Sequence, residues 1–336
     1  MNISYRTRQF IRRLCSGILT TVVVLVVVSL CLFLWLQRFV VYTDEGAVIQ
    51  FDRVRDLPQS QLPQPAATAP DVTIHYRDDP FREGLQQLSG YYIAPEDLMS
   101  NPEAVRLRLE SLPAGTPVLL DVKGYRGYFY YSTQVGKTTS GSYDMSKMDD
   151  FIRYLANSDL YVIARMSSLR DFDLVWNNNT YGLTTSNGAL YYDRGSYGLG
   201  YWLDPTNYKV MDYLIAVITE LRDLGFDEVV LQNFCFPDAE KLSFKGDRAE
   251  TILSAAQTLV DACCTDSFTL SFSSSDPNFT LPEGLCRLYL EGVAPEDAKK
   301  AWNAASMEEK RLYLVFIADT ASDAYDIENG ILSPLP

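Results

Sequence analysis

Short apolar segments alternate with helix-like patterns along most of this chain, and that alternation limits the folds open to it. Seven segments are predicted to be strands, and most are apolar almost throughout. They are residues 90–93, 117–123, 160–166, 228–234, 268–273, 287–290 and 312–317. Near-continuous apolar strands joined through helices are typical of a parallel sheet covered on both faces. The pattern therefore predicts an α/β fold.

The number of strands favours a closed barrel. With residues 330–332 as an eighth strand, the segments would form a (β/α)8 TIM-barrel-like domain, incomplete or irregular if that strand is missing. An open doubly wound sheet is the alternative, although no Gly-x-Gly-x-x-Gly follows the first strand to support a dinucleotide-binding version. The predicted helices are residues 95–109, 146–157, 207–224, 247–263 and 295–305.

An uncharged apolar run at residues 14–37 predicts a transmembrane helix in front of the barrel. At 1.5 Å per residue the run would be about 36 Å long, enough to cross a hydrocarbon core of about 30 Å. Arginines without acids precede it, so the positive-inside rule keeps the N-terminus in the cytoplasm. A cleaved signal peptide would have a shorter apolar region and small residues at a cleavage site, which residues 36–42 lack.

Four regions follow from these features. Residues 1–13 form a basic cytoplasmic tail, 14–37 the transmembrane helix, 38–87 a juxtamembrane segment with a Pro/Gln-rich linker, and 88–336 the barrel domain. A spacer of this composition is semi-extended and would hold the domain away from the membrane. We expect a single-pass protein of the cell membrane whose C-terminal domain is extracellular.

Charge and rare residues exclude several classes of function. The net charge is −14, and residues 1–40 contain five arginines and no acid, so the remainder carries −14 − 5 = −19. Such an acidic domain is a poor partner for nucleic acid. The single histidine, His75, makes a Ser-His-Asp triad improbable, and the cysteine spacing fits no zinc site. We predict neither a metal nor a cofactor.

Polar side chains at the carboxyl ends of parallel strands are the first candidates for a site. Because side chains alternate along a strand, Asp121 and Lys123 share one face of the second strand. The same parity aims Arg165, Gln232 and Glu291 at that end, so we expect all five at one mouth. A structural ion pair between Asp121 and Arg165 is the alternative.

Two further features bear on the site. Asp227 and Glu228 begin their strand, so we expect them at the opposite end of the barrel, where residues serve stability. Aromatic residues, among them Trp176, Tyr192 and Trp202, crowd residues 167–202. Their flat faces suit sugar rings or protein interfaces, and loop packing is the alternative explanation.

Several motifs occur in an order that resembles a known family. Residues 201–207 read Tyr-Trp-Leu-Asp-Pro-Thr-Asn, precede a helix, and are followed at 224–230 by Leu-Gly-Phe-Asp-Glu-Val-Val. Asp-Val-Lys stands at 121–123, and Ala-Arg at 164–165 with a later Asp171. Together these resemble a family of predicted glycoside hydrolases with an α-amylase-like (β/α)8 barrel. The resemblance covers roughly residues 88–240.

The resemblance implies a carbohydrate ligand, either a polysaccharide or a cell-wall glycan. Among the residues that it and the strand parity bring forward, the candidates for ligand binding are Lys123, Arg165, Asp171, Trp202, Gln232 and Asn233. The membrane, through the N-terminal helix, is the other expected partner.

The fourth strand departs from the family pattern. Where the family has Phe-Asp-Tyr-x-Arg-Phe-Pro, residues 231–237 read Leu-Gln-Asn-Phe-Cys-Phe-Pro. Gln232 thus replaces the expected aspartate nucleophile, and Cys235 replaces an arginine. An amide cannot act as a carboxylate nucleophile, and retaining hydrolysis needs two carboxyl groups about 5 Å apart.

The sequence therefore predicts a membrane-anchored, extracellular, glycoside-hydrolase-like protein that acts on or binds glycan and is catalytically impaired. One alternative is an active glycosidase that uses other acids, with Asp121, Asp204 and Glu291 as the candidates. The other is a surface scaffold for protein interactions.

Overall fold

The computed structural model describes residues 40–43, 46–49, 85–138, 145–195, 198–307, 309–325, 327 and 329–335. The chain divides into two compact units, residues 1–76 and 77–336. In the first, Val40–Thr43 and Gly46–Ile49 form an antiparallel hairpin that was not predicted. The basic tail, the run at 14–37 and most of the linker lie outside the described residues. Within the described part, no helix has the length and apolar character needed to cross a membrane.

Eight parallel strands form a closed barrel in the second unit. They are β1 (Ser89–Ile93), β2 (Pro117–Lys123), β3 (Tyr161–Ser167), β4 (Glu228–Gln232), β5 (Thr269–Ser274), β6 (Leu288–Leu290), β7 (Leu314–Ile317) and β8 (Gly330–Pro334). Each strand pairs with the next one, and β8 closes the ring by pairing with β1 from Ile331–Ser89 to Pro334–Tyr92. The predicted barrel, including its eighth strand, is confirmed, and the open sheet is excluded.

Helices lie between most of the strands. They are α1 (Pro95–Ser100), α2 (Pro102–Leu109), α3 (Met145–Ala156), α4 (Phe172–Asn177), α5 (Tyr208–Asp223), α6 (Arg248–Cys263), α7 (Ala298–Ala304) and α8 (Lys310–Tyr313). The barrel is irregular, since residues 275–287 join β5 to β6 through turns without a helix.

The predicted helix at 95–109 is two helices. Asn101 leaves the helical conformation at φ −154°, and its side chain accepts a hydrogen bond from the Ala104 backbone nitrogen to cap α2. Pro102 then occupies the first turn, where its missing N–H does no harm. The helix predicted at 207–224 is confirmed as α5, and the chain leaves it at Gly225, whose φ of +96° favours glycine.

The strands are covered by apolar side chains on both faces, inside the barrel and on its outer surface. Inside the barrel, Leu119, Ile163, Val230 and Leu332 belong to one buried cluster. Outside, the helices cover the strands, and Val217 of α5 has no exposed surface. Each fully buried aliphatic side chain of this kind contributes about 1.5–3 kcal/mol to folding.

A charged cluster closes the amino-terminal end of the barrel. Arg287 Nη1 lies 2.6 Å from Glu228 Oε2, and neither side chain is exposed. The hydroxyls of Tyr161 and Tyr289 each donate a hydrogen bond of 2.9 Å to the Glu228 carboxylate. Burial raises the pKa of both tyrosines, so they remain neutral donors. Glu228 therefore lies at the stability end of the barrel, as expected.

Candidate functional site

Five polar side chains meet at the carboxyl ends of the strands, and we call them the mouth cluster: Tyr92, Asp121, Arg165, Gln232 and Glu291. The first four belong to β1, β2, β3 and β4, and Glu291 follows β6 directly. Arg165, Asp121 and Glu291 expose 10%, 19% and 22% of their side chains, so the cluster is mostly buried but reaches solvent.

Arg165 is the centre of the mouth cluster. Its Nε donates to Asp121 Oδ1 at 2.6 Å and its Nη2 to Asp121 Oδ2 at 2.9 Å, a two-point contact with one carboxylate. Its Nη1 donates to Glu291 Oε1 at 2.9 Å. Burial opposes the charge on Arg165, but attraction to Asp121 and Glu291 outweighs burial and raises its pKa. One cation therefore holds two carboxylates.

Tyr92 and Gln232 complete the cluster. The Tyr92 hydroxyl donates to Asp121 Oδ2 at 3.0 Å and accepts from Arg165 Nη2 at 3.2 Å, while its ring lies 4.9 Å from the guanidinium carbon. Gln232 Nε2 donates to Glu291 Oε2 at 2.7 Å. All four carboxylate oxygens of Asp121 and Glu291 thus accept hydrogen bonds from within the cluster.

Strand parity predicted the convergence of Asp121, Arg165, Gln232 and Glu291, and the structure confirms that geometry. Tyr92 was missed, although the same alternation along β1 could have identified it. Each of these side chains also lies near the end of its strand, which is why parity was sufficient.

Lys123 does not lie with the others, contrary to expectation. The pairing of β2 with β3 shifts between Asp121 and Lys123, so an irregularity interrupts the alternation that parity assumes. Lys123 Nζ instead lies 2.8 Å from Asp171 Oδ2 and donates to the Ser167 carbonyl at 2.7 Å. Neither side chain of this pair exposes more than 1% of its surface.

Asp171, a predicted ligand-binding residue, has both carboxylate oxygens bound by groups of the protein itself. Its Oδ1 accepts a hydrogen bond of 2.9 Å from the Leu174 backbone nitrogen and caps α4. Its Oδ2 is bound by Lys123 and by the Tyr213 hydroxyl at 3.3 Å. Because Asp171 and Lys123 are buried and bound to each other, a ligand at the mouth could reach them only by breaking this pair.

Trp202 is also buried, with 6% of its surface exposed. Its Nε1 donates to Asp193 Oδ2 at 3.0 Å, and its ring packs with Leu183 and Leu242. Arg170 binds the other oxygen of Asp193 at 2.6 Å. The indole face that was expected to meet a sugar is covered by the protein itself.

Asp204 and Asn233 occupy turns. Asp204 Oδ1 accepts from the Thr206 backbone nitrogen at 2.9 Å and from its hydroxyl at 2.7 Å, which shapes the turn before α5. Asn233 follows Gln232 with φ +57°, a conformation that asparagine tolerates better than most residues, and donates to Ser167 Oγ at 3.0 Å. Asp204 therefore lies outside the mouth cluster, and Asn233 borders it. In the described part of the chain, no group of three or more His, Cys, Asp or Glu side chains could hold a metal ion.

The family comparison agrees with the barrel and its motifs. Residues 109–265, which include β2, β3 and β4, match the family model described as "Putative glycosyl hydrolase domain". The predicted family resemblance is confirmed. The matched stretch contains Asp121, Arg165 and Gln232, whereas Tyr92 and Glu291 lie outside it.

Solved structures with similar folds were also found. The GH36 α-galactosidase AgaA of Geobacillus stearothermophilus, in a variant form, is 12% identical with a TM-score of 0.52, over 76% of this chain and 40% of that one. A hypothetical protein from Ruminiclostridium thermocellum is 22% identical with a TM-score of 0.45, over 55% of this chain and 96% of that one. The α-galactosidase TtGalA of Thermus thermophilus is 12% identical with a TM-score of 0.43, over 72% and 46%.

These likenesses concern the fold alone. The chain spans less than half the length of either galactosidase, so their activities do not transfer to it. No curated protein matches the chain.

Proposed function

We propose that this protein binds glycan at the mouth of a glycoside hydrolase barrel and does not cleave it through the mechanism expected of the family. The observation that carries the proposal is the hydrogen bond from Gln232 to Glu291 beside the Arg165 clamp. At the end of β4, where the family resemblance calls for a carboxylate nucleophile, this chain has an amide that is bound to the nearest acid.

The two acids of the mouth are poorly placed to replace that nucleophile. Both oxygens of Asp121 accept hydrogen bonds from Arg165, and one also accepts from Tyr92. Both oxygens of Glu291 accept hydrogen bonds from Arg165 and Gln232, so Glu291 would have to give up one of these contacts to act on a substrate. A retaining glycosidase needs one free carboxylate and one protonated carboxyl group about 5 Å apart.

The mouth retains the means to bind a sugar. Asp121 and Glu291 remain partly exposed, and sugar hydroxyls can both donate to carboxylates and accept from amides. We propose that the ligand is a polysaccharide or cell-wall glycan. We also propose that residues 14–37 anchor the chain in the cell membrane with the barrel outside.

The first prediction concerns turnover. We expect the full-length chain, kept in solution by a detergent without sugar headgroups, to bind at least one glycan from a panel of wall polysaccharides and exopolysaccharides. Mass spectrometry of the incubated glycan should show no new reducing ends, because Gln232 stands where the family has its nucleophile and Arg165 holds both acids of the mouth cluster. Binding is measured by titration calorimetry.

Matched variants make this result interpretable. Asp121→Asn, Asp204→Asn and Glu291→Gln each remove one candidate acid while they keep the shape of the side chain. Turnover that persists in Gln232→Ala and disappears in Glu291→Gln would overturn the proposal and assign the chemistry to the end of β6. Loss of turnover in Asp204→Asn alone would assign it to the turn before α5.

The second prediction concerns topology. Arginines precede the apolar run at 14–37, so the N-terminus is expected in the cytoplasm. Protease added to intact cells should then remove the barrel, while a tag fused to the N-terminus stays protected. Antibody detection of tags at both ends, before and after cell lysis, measures this. A secreted protein with a new N-terminus after the apolar run would contradict the anchor.

A further inference from the structure

The connection between β3 and α5 carries a group of aromatic rings outside the mouth cluster. Phe172 and Trp176 lie on α4, and Tyr192 and Tyr201 lie on the two strands of a hairpin, Tyr192–Gly195 and Gly198–Tyr201. We call these four residues the aromatic stack. This connection starts at the carboxyl end of β3, which is the end of the barrel where the mouth cluster lies.

Three rings of the aromatic stack are nearly parallel. Phe172 and Trp176 have centroids 5.6 Å apart with planes at 12°, and Phe172 and Tyr201 have centroids 5.3 Å apart with planes at 23°. Tyr192 meets Tyr201 edge to face at 6.1 Å. These separations are typical of offset stacking, in which each ring leaves part of its face uncovered by the next.

Backbone contacts fix the position of the stack. The Phe172 backbone nitrogen donates to the Tyr125 carbonyl at 3.1 Å, which ties α4 to the loop after β2. The Asp171 backbone nitrogen donates to the Tyr201 carbonyl at 2.9 Å, which ties α4 to the hairpin. The Arg126 guanidinium lies 5.1 Å from the Phe172 centroid. The segments that carry Phe172 and Tyr201 are therefore held together before any ligand arrives.

The outer rings are open to solvent. Trp176 is 65% exposed and Tyr192 is 54% exposed, whereas Trp202 in the same connection is 6% exposed. Polar residues share α4 with Trp176: Asp173 binds Lys137 at 3.1 Å, and Asn177 donates to Asp173 at 2.9 Å. A flat, pre-positioned aromatic surface with a polar rim is not explained by core packing.

We propose that the aromatic stack, and Trp176 above all, binds the pyranose rings of an uncharged polysaccharide and extends the mouth to a longer ligand. The C–H groups on one face of a pyranose carry partial positive charge and fit the negative face of an indole. The sugar hydroxyls at the ring edge then meet the rim of Asp173 and Asn177. This inference rests on the proposed function, and it moves the expected sugar contact from Trp202 to Trp176.

Charge favours an uncharged glycan over other occupants. The chain after residue 40 carries a net charge of −19, which repels an anionic membrane surface and an acidic polysaccharide alike. A neutral polysaccharide avoids that repulsion and uses both the flat faces and the polar rim.

The experiment compares single variants of the full-length chain in the same detergent. The probes are soluble uncharged glucan, galactan and mannan, with an acidic polysaccharide and anionic vesicles as the other occupants. We expect Trp176→Ala to weaken binding of the uncharged glycan about tenfold, Tyr192→Ala to weaken it less, and Trp176→Phe to restore part of the loss. Tyr208→Ala is the matched control, since Tyr208 is an aromatic residue with 67% exposure outside the stack.

Each outcome decides between the proposals. If the unchanged protein binds glycan, Trp176→Ala binds it equally and Glu291→Gln binds it less, the role of the stack is overturned and the mouth alone carries the proposed function. If binding falls in Tyr208→Ala as much as in Trp176→Ala, the effect is not specific and the inference also fails. If the unchanged protein binds the acidic polysaccharide alone, the inference is overturned and the proposed glycan binding stands. If it binds only vesicles or no probe, both the inference and the glycan ligand are overturned. Unchanged thermal unfolding of each variant shows that the fold is intact.

Discussion

Replacement of Glu228 by glutamine is expected to lower the free energy of unfolding by about 3–5 kcal/mol. The change keeps the shape of the side chain but leaves Arg287 buried without its counter-charge, since both side chains are fully enclosed by the barrel. Denaturant unfolding followed by circular dichroism measures the loss. For a domain of this size the melting temperature should fall by roughly 10 °C.

Two controls separate charge burial from the chemical change itself. Asp150→Asn breaks an ion pair of the same length, 2.6 Å to Arg153, but both of its side chains are about 70% exposed. We expect that control to lose less than about 1 kcal/mol, because water screens the pair. The double variant Glu228→Gln with Arg287→Met should lose less than the sum of the single variants. Equal losses at Glu228 and Asp150 would contradict the role of burial.

Replacement of Asp171 should have the second large effect. We expect Asp171→Asn to lose about 3–5 kcal/mol, because the buried ammonium of Lys123 is left without a carboxylate. Asn can still cap α4 through its side-chain oxygen, so this variant tests the charge alone. Asp171→Ala should lose about 1 kcal/mol more, since it also removes the cap. Denaturant unfolding is again the measurement.

The matched control for the cap is Asp247→Ala. Asp247 caps α6 by accepting a hydrogen bond from the Glu250 backbone nitrogen at 2.9 Å, and its loss should be about 1 kcal/mol. If Asp171→Asn loses no more than this, the ion pair with Lys123 contributes little and the buried pair is not a main source of stability.

The architecture of the barrel was predictable because strands buried on both faces are apolar almost throughout, a pattern that is easily recognised in the sequence. β2 was predicted with its observed bounds, and β8 was predicted from residues 330–332. The break at Asn101 was missed because the apolar spacing continues across it, although Asn followed by Pro is a common start for a helix. The strand pair Val40–Thr43 and Gly46–Ile49 was missed because short strands in a linker have no core to shape their pattern.

The candidate site was predictable only as far as strand alternation holds. Asp121 and Arg165 were placed correctly because β2 and β3 pair regularly as far as these residues, and Glu291 because it directly follows β6. Lys123 was misplaced because an irregularity in pairing changes its direction, and the sequence carries no sign of it. The sequence also did not show which aromatic side chains are exposed. Trp176 and Trp202 lie in the same aromatic stretch, yet Trp176 is exposed and Trp202 is buried.

The contact that closes the barrel has a consequence for how the protein folds. Gln87 donates to the Asn329 carbonyl beside the junction of β8 and β1, across 242 positions of sequence. To pair residues so far apart, the chain must lose conformational entropy before the new contacts stabilise it. We therefore expect closure to be slow compared with formation of the local strand–helix units. Until it occurs, β1 and β8 both present unpaired backbone edges to other chains. Aggregation during refolding should therefore depend on this seam more than on any other strand pair.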